Sequence, residues 1–331
     1  MTLSPSSVLV TGASGFLGAH VVRTLAARGL TVRAQGRESS RLQFAPEVQV
    51  VRADLTDLAA LTDAAAGCDA IVHCAALSAP WGARADFEAA NVTGTANVIA
   101  AAEAGRIGRL VHISSPAVLF TGSDQHEVGD DAPYPDRPSS EYARTKQRAE
   151  ALVTAASSRM ATVILRPKAI YGAGDRALVP RLLRAARDGR LPQIGDGRNA
   201  VDVTHVDDVV QAVECALSTE AGVGGCFLIT GGEHVRLWEM IRALLHGVGL
   251  RYPSRQIPLP VALAAAAVME SVAAVTQREP TLTRYSARIL ALTQTYDISR
   301  ARTVLGYMPR VSAADGVART VDALRRDSVP A

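Results

Sequence analysis

The run VLVTGASGFLG (8–18) sets three glycines between an apolar, β-branched stretch and an amphipathic one. Gly12 permits a tight turn there, Gly15 lets the backbone approach a pyrophosphate, and Gly18 lets a helix pack close to a sheet. The start of that helix offers unpaired N–H groups and the positive end of its dipole to phosphate oxygens. A strand, a glycine turn and a helix in this order predict a β-α-β unit that holds a dinucleotide.

The first half of the chain repeats that pattern. Strands are predicted at 7–12, 31–35, 48–53, 69–75, 109–115 and 161–167, and helices at 16–29, 57–66, 85–104 and 140–157. Such alternation implies right-handed crossovers and a doubly wound parallel sheet, an α/β fold of Rossmann type. After Pro167 the alternation becomes irregular and Gly and Pro increase, although CFLIT (226–230) reads as one more buried strand. The expected division is a cofactor domain from 1–167 and 201–230. Segments 168–200 and 231–331 would form a smaller, mostly helical substrate lobe.

The end of the second strand tells which dinucleotide. An acid there accepts from the ribose 2′-hydroxyl of NAD. This chain has Gln35-Gly36-Arg37 instead. Gly36 leaves room, and the planar fork of Arg37 suits a 2′-phosphate, so NADP(H) is expected over NAD(H). Asp54, after the third strand, is a candidate partner for the adenine amino group.

EYARTK (141–146) puts Tyr142 and Lys146 four residues apart, on one helix face. Only Lys146 and Lys168 are lysine among 35 Lys and Arg residues, so position 146 has a reason to refuse arginine. Ketone reduction needs a hydride and a proton. A Tyr phenol, with a pKa near 10, needs help to move that proton. A compact ammonium beneath it can tune it and hold ribose hydroxyls, which the broad guanidinium cannot. Ser115, at the end of the fifth strand, is the candidate to polarise the carbonyl, with Ser114 as the fallback.

Other classes fit less well. The arginines are dispersed and the net charge is only +3, so no basic face for nucleic acid is concentrated. Four cysteines without C-x-x-C spacing and seven scattered histidines give no metal pattern. MTLSPSSVLV lacks the features of a signal peptide. The most apolar later stretch, 257–269, is shorter than a bilayer span. A soluble, cytoplasmic enzyme is expected.

TGASGFLG, the Ala75-Ala76 loop, Asn91, SSPAV, YARTK, LRPKAIYGAGD and LGYMP (305–309) together resemble an extended short-chain dehydrogenase/reductase. Within that superfamily the chain most resembles the 3β-hydroxysteroid dehydrogenase-like branch, which includes bacterial 2-alkyl-3-ketoalkanoate reductases. The resemblance implies that Gly12, Ser14, Gly15, Phe16, Leu17 and Gly18 cradle the cofactor phosphates. Arg37, Asp54, Leu55, Ala75, Ala76, Tyr142 and Lys146 would also bind the cofactor, and Pro167 would line the nicotinamide site through its backbone. Asn91 would support the active-site geometry, and two long helices would pair across a two-fold axis in a homodimer. Sugar-nucleotide 4,6-dehydratases carry an Asp-Glu pair after the catalytic Ser or Thr, where this chain has Pro116 and Ala117. An NAD-dependent sugar-nucleotide epimerase is the alternative activity, and a cofactor-bound sensor without catalysis a third. For the substrate, Ser78 and Trp81 in SAPWG (78–82) are candidate pocket residues, and Lys168 a candidate partner for a substrate carboxylate. The segment 258–275 reads equally as an apolar lid or an Ala-rich core helix. The expected substrate is a largely apolar β-keto acid or ester, polyketide-like or steroid-like molecule.

Overall fold

A computed structural model describes residues 5–38, 43–252, 255–276 and 278–327. In chain order the elements begin with β1 (Ser7–Thr11), α1 (Phe16–Ala27), β2 (Thr31–Gly36), β3 (Gln49–Arg52), α2 (Leu58–Ala65) and β4 (Ala70–His73). They continue with α3 (Arg84–Phe87), α4 (Gly94–Ala104), β5 (Arg109–Ile113), β6 (Gln125–Val128), α5 (Glu141–Ala156), β7 (Ala161–Pro167) and β8 (Ile170–Tyr171). Next come α6 (Leu178–Arg187), β9 (Gln193–Ile194), β10 (Ala200–Val201), β11 (Thr204–His205), α7 (Val206–Ser218) and β12 (Cys226–Ile229). The last are β13 (Val235–Arg236), α8 (Leu237–Gly247), β14 (Gln256–Ile257), α9 (Leu259–Thr276), α10 (Arg284–Ala291), β15 (Gln294–Tyr296) and α11 (Ala313–Asp327).

Seven strands form one parallel sheet in the order β12-β7-β5-β4-β1-β2-β3. Both faces are covered, and alternation along each strand decides which neighbours a side chain meets. Val8 and Val10 join Val21 and Val22 of α1 and Val209 and Val213 of α7 in one core. Leu9 points the other way, into a core with Ile71, Leu110, Leu61 of α2 and Val98 of α4. The chain runs outward through β2 and β3, then returns to β4 on the far side of β1. The reversal between β1 and β4 is the switch point at whose carboxyl edge such sheets bind ligands.

The helix predicted over 85–104 is interrupted. Between α3 and α4 the backbone widens into a π-helical turn over Glu88–Thr93, with Asn91 buried in it. Such single turns commonly re-aim a side chain at a functional site.

The second lobe is mostly helical, as the sequence reading has it, through α6, α8, α9, α10 and α11, and it also carries short strands that the reading did not foresee. β13, β10, β15 and β6 form a second, four-stranded sheet, with β11-β8 and β14-β9 as two-stranded pairs. Most of these strands have only two or three residues, too few to show a period of two in the sequence. Around them a third core gathers Trp238, Ile241 and Leu245 of α8 with Ile194, Leu183 and Tyr171.

α9 is not the Ala-rich core helix that was one reading of 258–275. Ala262, Ala266 and Ala273 are buried, while Val268 is 65% and Val275 84% exposed, so α9 is a surface helix packed on α10. It runs for 18 residues, longer than the apolar stretch read from the sequence. Pro260 occupies its first turn, where a missing N–H costs nothing, and Glu270 is held by Arg284 at 2.6 Å. By length and composition alone it could cross a membrane.

Candidate active site

The glycine turn leaves the end of β1 and enters α1. Gly12 has φ +68°, and a Cβ there would lie 2.7 Å from the Ala75 Cα. The turn is closed by Gly15 N–H donating to Gly12 O at 2.9 Å. No side chain caps the α1 N-terminus, so its first N–H groups stay open to an acceptor. This cradle, too narrow for any side chain, fits a dinucleotide pyrophosphate. Ser14 lends its carbonyl to Arg176 at 3.5 Å, Phe16 stacks edge-on against His20, and Leu17 and Gly18 are buried under the turn.

Gln35 has a role the sequence reading missed. It is 2% exposed. Its Oε1 accepts from Gly12 N–H at 3.1 Å and its Nε2 donates to Ala53 O at 2.5 Å, locking the turn to β3. The signal was a polar residue set between Ala34 and Gly36 at the end of the strand. Arg37 is exposed at the end of β2, close enough for its charge to help hold the Asp54 carboxyl low, after the Thr56 hydrogen bonds. Asp54 Oδ1 accepts from both Thr56 N–H and Thr56 Oγ1, at 2.9 and 2.7 Å, so one oxygen of this candidate adenine partner is already engaged. Leu55 O accepts from Asn97 Nδ2 at 2.8 Å.

Ala75 and Ala76 follow β4. Asn91 pins the next residue through its π turn. Its Oδ1 accepts from Leu77 N–H at 2.7 Å, and its Nδ2 donates to Leu77 O at 3.1 Å and Thr145 Oγ1 at 3.0 Å. One side chain thereby fixes the cleft loop and α5 together. Ser78 is exposed and Trp81 partly buried farther along that loop; no hydrogen bond joins either to Tyr142 among the described residues.

α5 starts at Ser140, whose hydroxyl accepts from Ala143 N–H at 3.1 Å. In the first turn Tyr142 comes close enough to Ser115 for that hydroxyl to act on its phenol. Burial pushes the phenol up to about 12, while the Ser115 hydrogen bond pulls it down and the Glu150 charge adds to the rise. Ser114 faces the interior instead, its hydroxyl donating to Glu150. Glu150 also pairs with Arg166, which donates from Nε at 3.0 Å and Nη2 at 2.6 Å. Of the two serines, Ser115 is the one beside Tyr142.

Lys146 is 1% exposed. Its Nζ donates to Ile113 O at 2.7 Å and His112 Nε2 at 3.0 Å. Burial lowers the amine to about 8, against opposing pulls from Glu150 and Cys74. The sequence reading had this ammonium tune Tyr142; in the structure the group drawing the phenol down is Ser115, because the amine is turned beneath β5. His73 and His112 sit opposite each other on β4 and β5, ring centroids 5.2 Å apart. Burial and then Lys146 lower His73 to about 3 and His112 well below its ordinary value. Both rings are therefore neutral, and Lys146 carries the charge. Their placement at matching positions in DAIVHCA and RLVHISS was the available signal. Pro167 ends β7 opposite Ile229, in the interior.

Comparison with known proteins agrees with this geometry. The NAD dependent epimerase/dehydratase family matches residues 8–229. A 2-alkyl-3-oxoalkanoate reductase of Stenotrophomonas maltophilia is 39% identical over 326 residues, covering 94% of this chain and 97% of its own. The decarboxylating sterol-4-alpha-carboxylate 3-dehydrogenase ERG26 of Candida albicans is 33% identical over 350 residues, covering 99% and 100%. Among solved structures, a double mutant of the dTDP-glucose 4,6-dehydratase DesIV from Streptomyces venezuelae, with NAD and DAU bound, superposes with a TM-score of 0.77. It is 28% identical and 97% of each chain is covered. The chain belongs to the NAD dependent epimerase/dehydratase family and is an NAD(P)-dependent oxidoreductase of the extended short-chain dehydrogenase/reductase type.

Proposed function

We propose that the protein interconverts a β-keto acid and its β-hydroxy acid, largely apolar elsewhere, with NADP(H) preferred over NAD(H). The observation that carries this reading is Tyr142 and Lys146 one helical turn apart on α5, with Lys146 buried and Ser115, just past the end of β5, acting on the Tyr142 phenol. When bound, the cofactor supplies or accepts the hydride. The Ser115 hydroxyl donates to the substrate oxygen and holds it beside Tyr142. The Tyr142 phenol gives that oxygen its proton, or takes it in the reverse direction. Lys146 would hold the nicotinamide ribose hydroxyls, and Ser115 is the group that eases the phenol's loss of its proton. Arg37, exposed at the end of β2 where no acid stands, supports the NADP preference.

The substrate class rests on two relatives. One acts by name on a 2-alkyl-3-oxoalkanoate and the other on a sterol 4-carboxylate at carbon 3. Each name sets a carboxylate on the carbon next to the reacting one. A sugar-nucleotide epimerase is the second reading, favoured by the likeness to a nucleotide-sugar enzyme and opposed by Gly36-Arg37. As in many relatives, α4 and α5 are proposed to pair in a homodimer.

The test measures reduction of a 2-alkyl-3-oxo ester or acid with NADPH and NADH. Wild type, Tyr142→Phe and Arg37→Ala are compared. Turnover with NADPH, a loss of about 10²–10⁴-fold in kcat for Tyr142→Phe, and loss of the NADPH preference in Arg37→Ala are expected. NAD that co-purifies and will not exchange would move the epimerase to first place.

A further inference from the structure

Just beyond Pro167 a second group of polar side chains remains without the partners its burial demands. The Lys168 backbone is fixed on both sides, its N–H donating to Ile229 O at 3.0 Å and its carbonyl accepting from Thr204 Oγ1 at 2.6 Å. The side chain leaves toward β15. There Nζ donates to Gln294 Oε1 at 2.6 Å and lies 5.5 Å from the centre of the Tyr296 ring. Gln294 and Tyr296 are alternate residues of one strand, so they share a face; they are 1% and 2% exposed.

Because Gln294 Oε1 is taken by the ammonium, its Nε2 must point elsewhere. That Nε2 and the Tyr296 hydroxyl are buried without a hydrogen-bond partner among the described residues. Buried polar groups are nearly always paired, so these await something. Lys168 and Gln294 Nε2 are donors only, and the phenol can donate. Asp202 is the carboxylate nearest in effect to Lys168. Its own oxygens are held by His234 Nδ1 at 2.6 Å and Tyr296 N–H at 2.9 Å. It eases the burial of the ammonium without taking its remaining protons.

This group is continuous with the Tyr142 site. Tyr285 is raised by Tyr142 and in turn raises Tyr296, and its ring packs edge-on against Phe120, centroids 6.2 Å apart. Phe120 closes the short turn that begins at Ser115. Tyr285, packed on Phe120, is thus electrostatically coupled to both Tyr142 and Tyr296.

We propose that Lys168, Gln294 and Tyr296 form a carboxylate subsite that receives the acid group next to the reacting carbon of the substrate. The proposal rests on the β-keto acid reading above. A carboxylate offers about four acceptor positions and suits a set of donors around one cation. The subsite would make the enzyme select acids over their esters.

The test uses racemic 3-hydroxy-2-methyldecanoate and its methyl ester. Each is titrated calorimetrically into protein loaded with reduced cofactor, so that the alcohol cannot turn over. In wild type the acid is expected to bind at least tenfold more tightly than the ester. In Lys168→Met that ratio should fall to about one, with the ester unchanged within about twofold. Tyr296→Phe, which keeps the ring, should reduce the ratio severalfold and stands in if Lys168→Met does not fold. Equal binding of acid and ester by wild type, or equal weakening of both in Lys168→Met, overturns the subsite. Oxidation of the acid with oxidised cofactor is followed in parallel. Discrimination in binding without oxidation keeps the subsite and rejects the ketone–alcohol reading. Oxidation without discrimination does the reverse.

Discussion

At the scale of single residues, Lys146 works against the stability of the fold that carries it. Its amine is lowered from 10.5 to about 8 by burial. Between those values the unfolded chain binds more protons than the folded one, so stability rises with pH across that window. Below pH 8 the buried ammonium costs the protein on the order of 3 kcal/mol. Activity has the opposite dependence, because the function proposed for Lys146 needs its charge. Turnover is expected to fall above pH 8, while the stability gap between wild type and Lys146→Met changes in favour of wild type from pH 8 to 10. Denaturant unfolding of both proteins at several pH values reads this directly; a pH-independent gap would show that Lys146 is not held at a lowered pKa. Lys168 is lowered to about 8 as well and is common to both proteins, so its contribution cancels.

At the scale of elements, the β1–α1 turn offers a clean contrast. Gly12 and Gly29 both have positive φ, +68° and +85°. A Cβ on Gly12 would strike Ala75, while one on Gly29 meets nothing within 4 Å. Gly29→Ala should cost about 1 kcal/mol of stability and leave cofactor affinity alone. Gly12→Ala should cost more and weaken cofactor binding at least tenfold, since β4 must retreat from the pyrophosphate cradle. Equal cofactor affinity in the two variants would contradict this account of the turn. The turn was legible because glycine spacing, strand and helix all lie within one short stretch. The Tyr142, Lys146 and Ser115 positions were legible for a similar reason, since a helical spacing and a strand end suffice to place them. The π turn at Asn91 was not, because its extra residue answers to Leu77 and Thr145, which are distant in sequence. Nor was β15, where Gln294 and Tyr296 form part of a three-residue strand paired with β10 and β6 from far up the chain. Gln35 was read as the absence of an acid, and its contacts to Gly12 and Ala53 appear only once β1, β2 and β3 are side by side.

At the scale of the whole molecule, the cations divide into two populations. Arginines occupy many peripheral positions and pair with acids there, as Arg28 does with Glu214 and Arg159 with Glu103; such exposed pairs contribute about 1 kcal/mol or less. Both lysines lie inward, at Lys146 and Lys168. That division turns primary-amine chemistry into a reporter of the cleft. At pH 7 an amine with a pKa near 8 is neutral, and so nucleophilic, about one time in ten, against roughly one in several thousand for an ordinary lysine. A small acylating agent such as acetic anhydride has, apart from the α-amino group, only these two amines to find. Peptide mass spectrometry should show acetyl groups on Lys168 first, since it is the less deeply buried, with loss of turnover following that labelling and bound cofactor shielding Lys146. Full acetylation of both with activity intact would mean that neither amine takes part. The same scarcity means that attachment through lysine, to a dye or to a support, would either fail or consume the two amines proposed for the site.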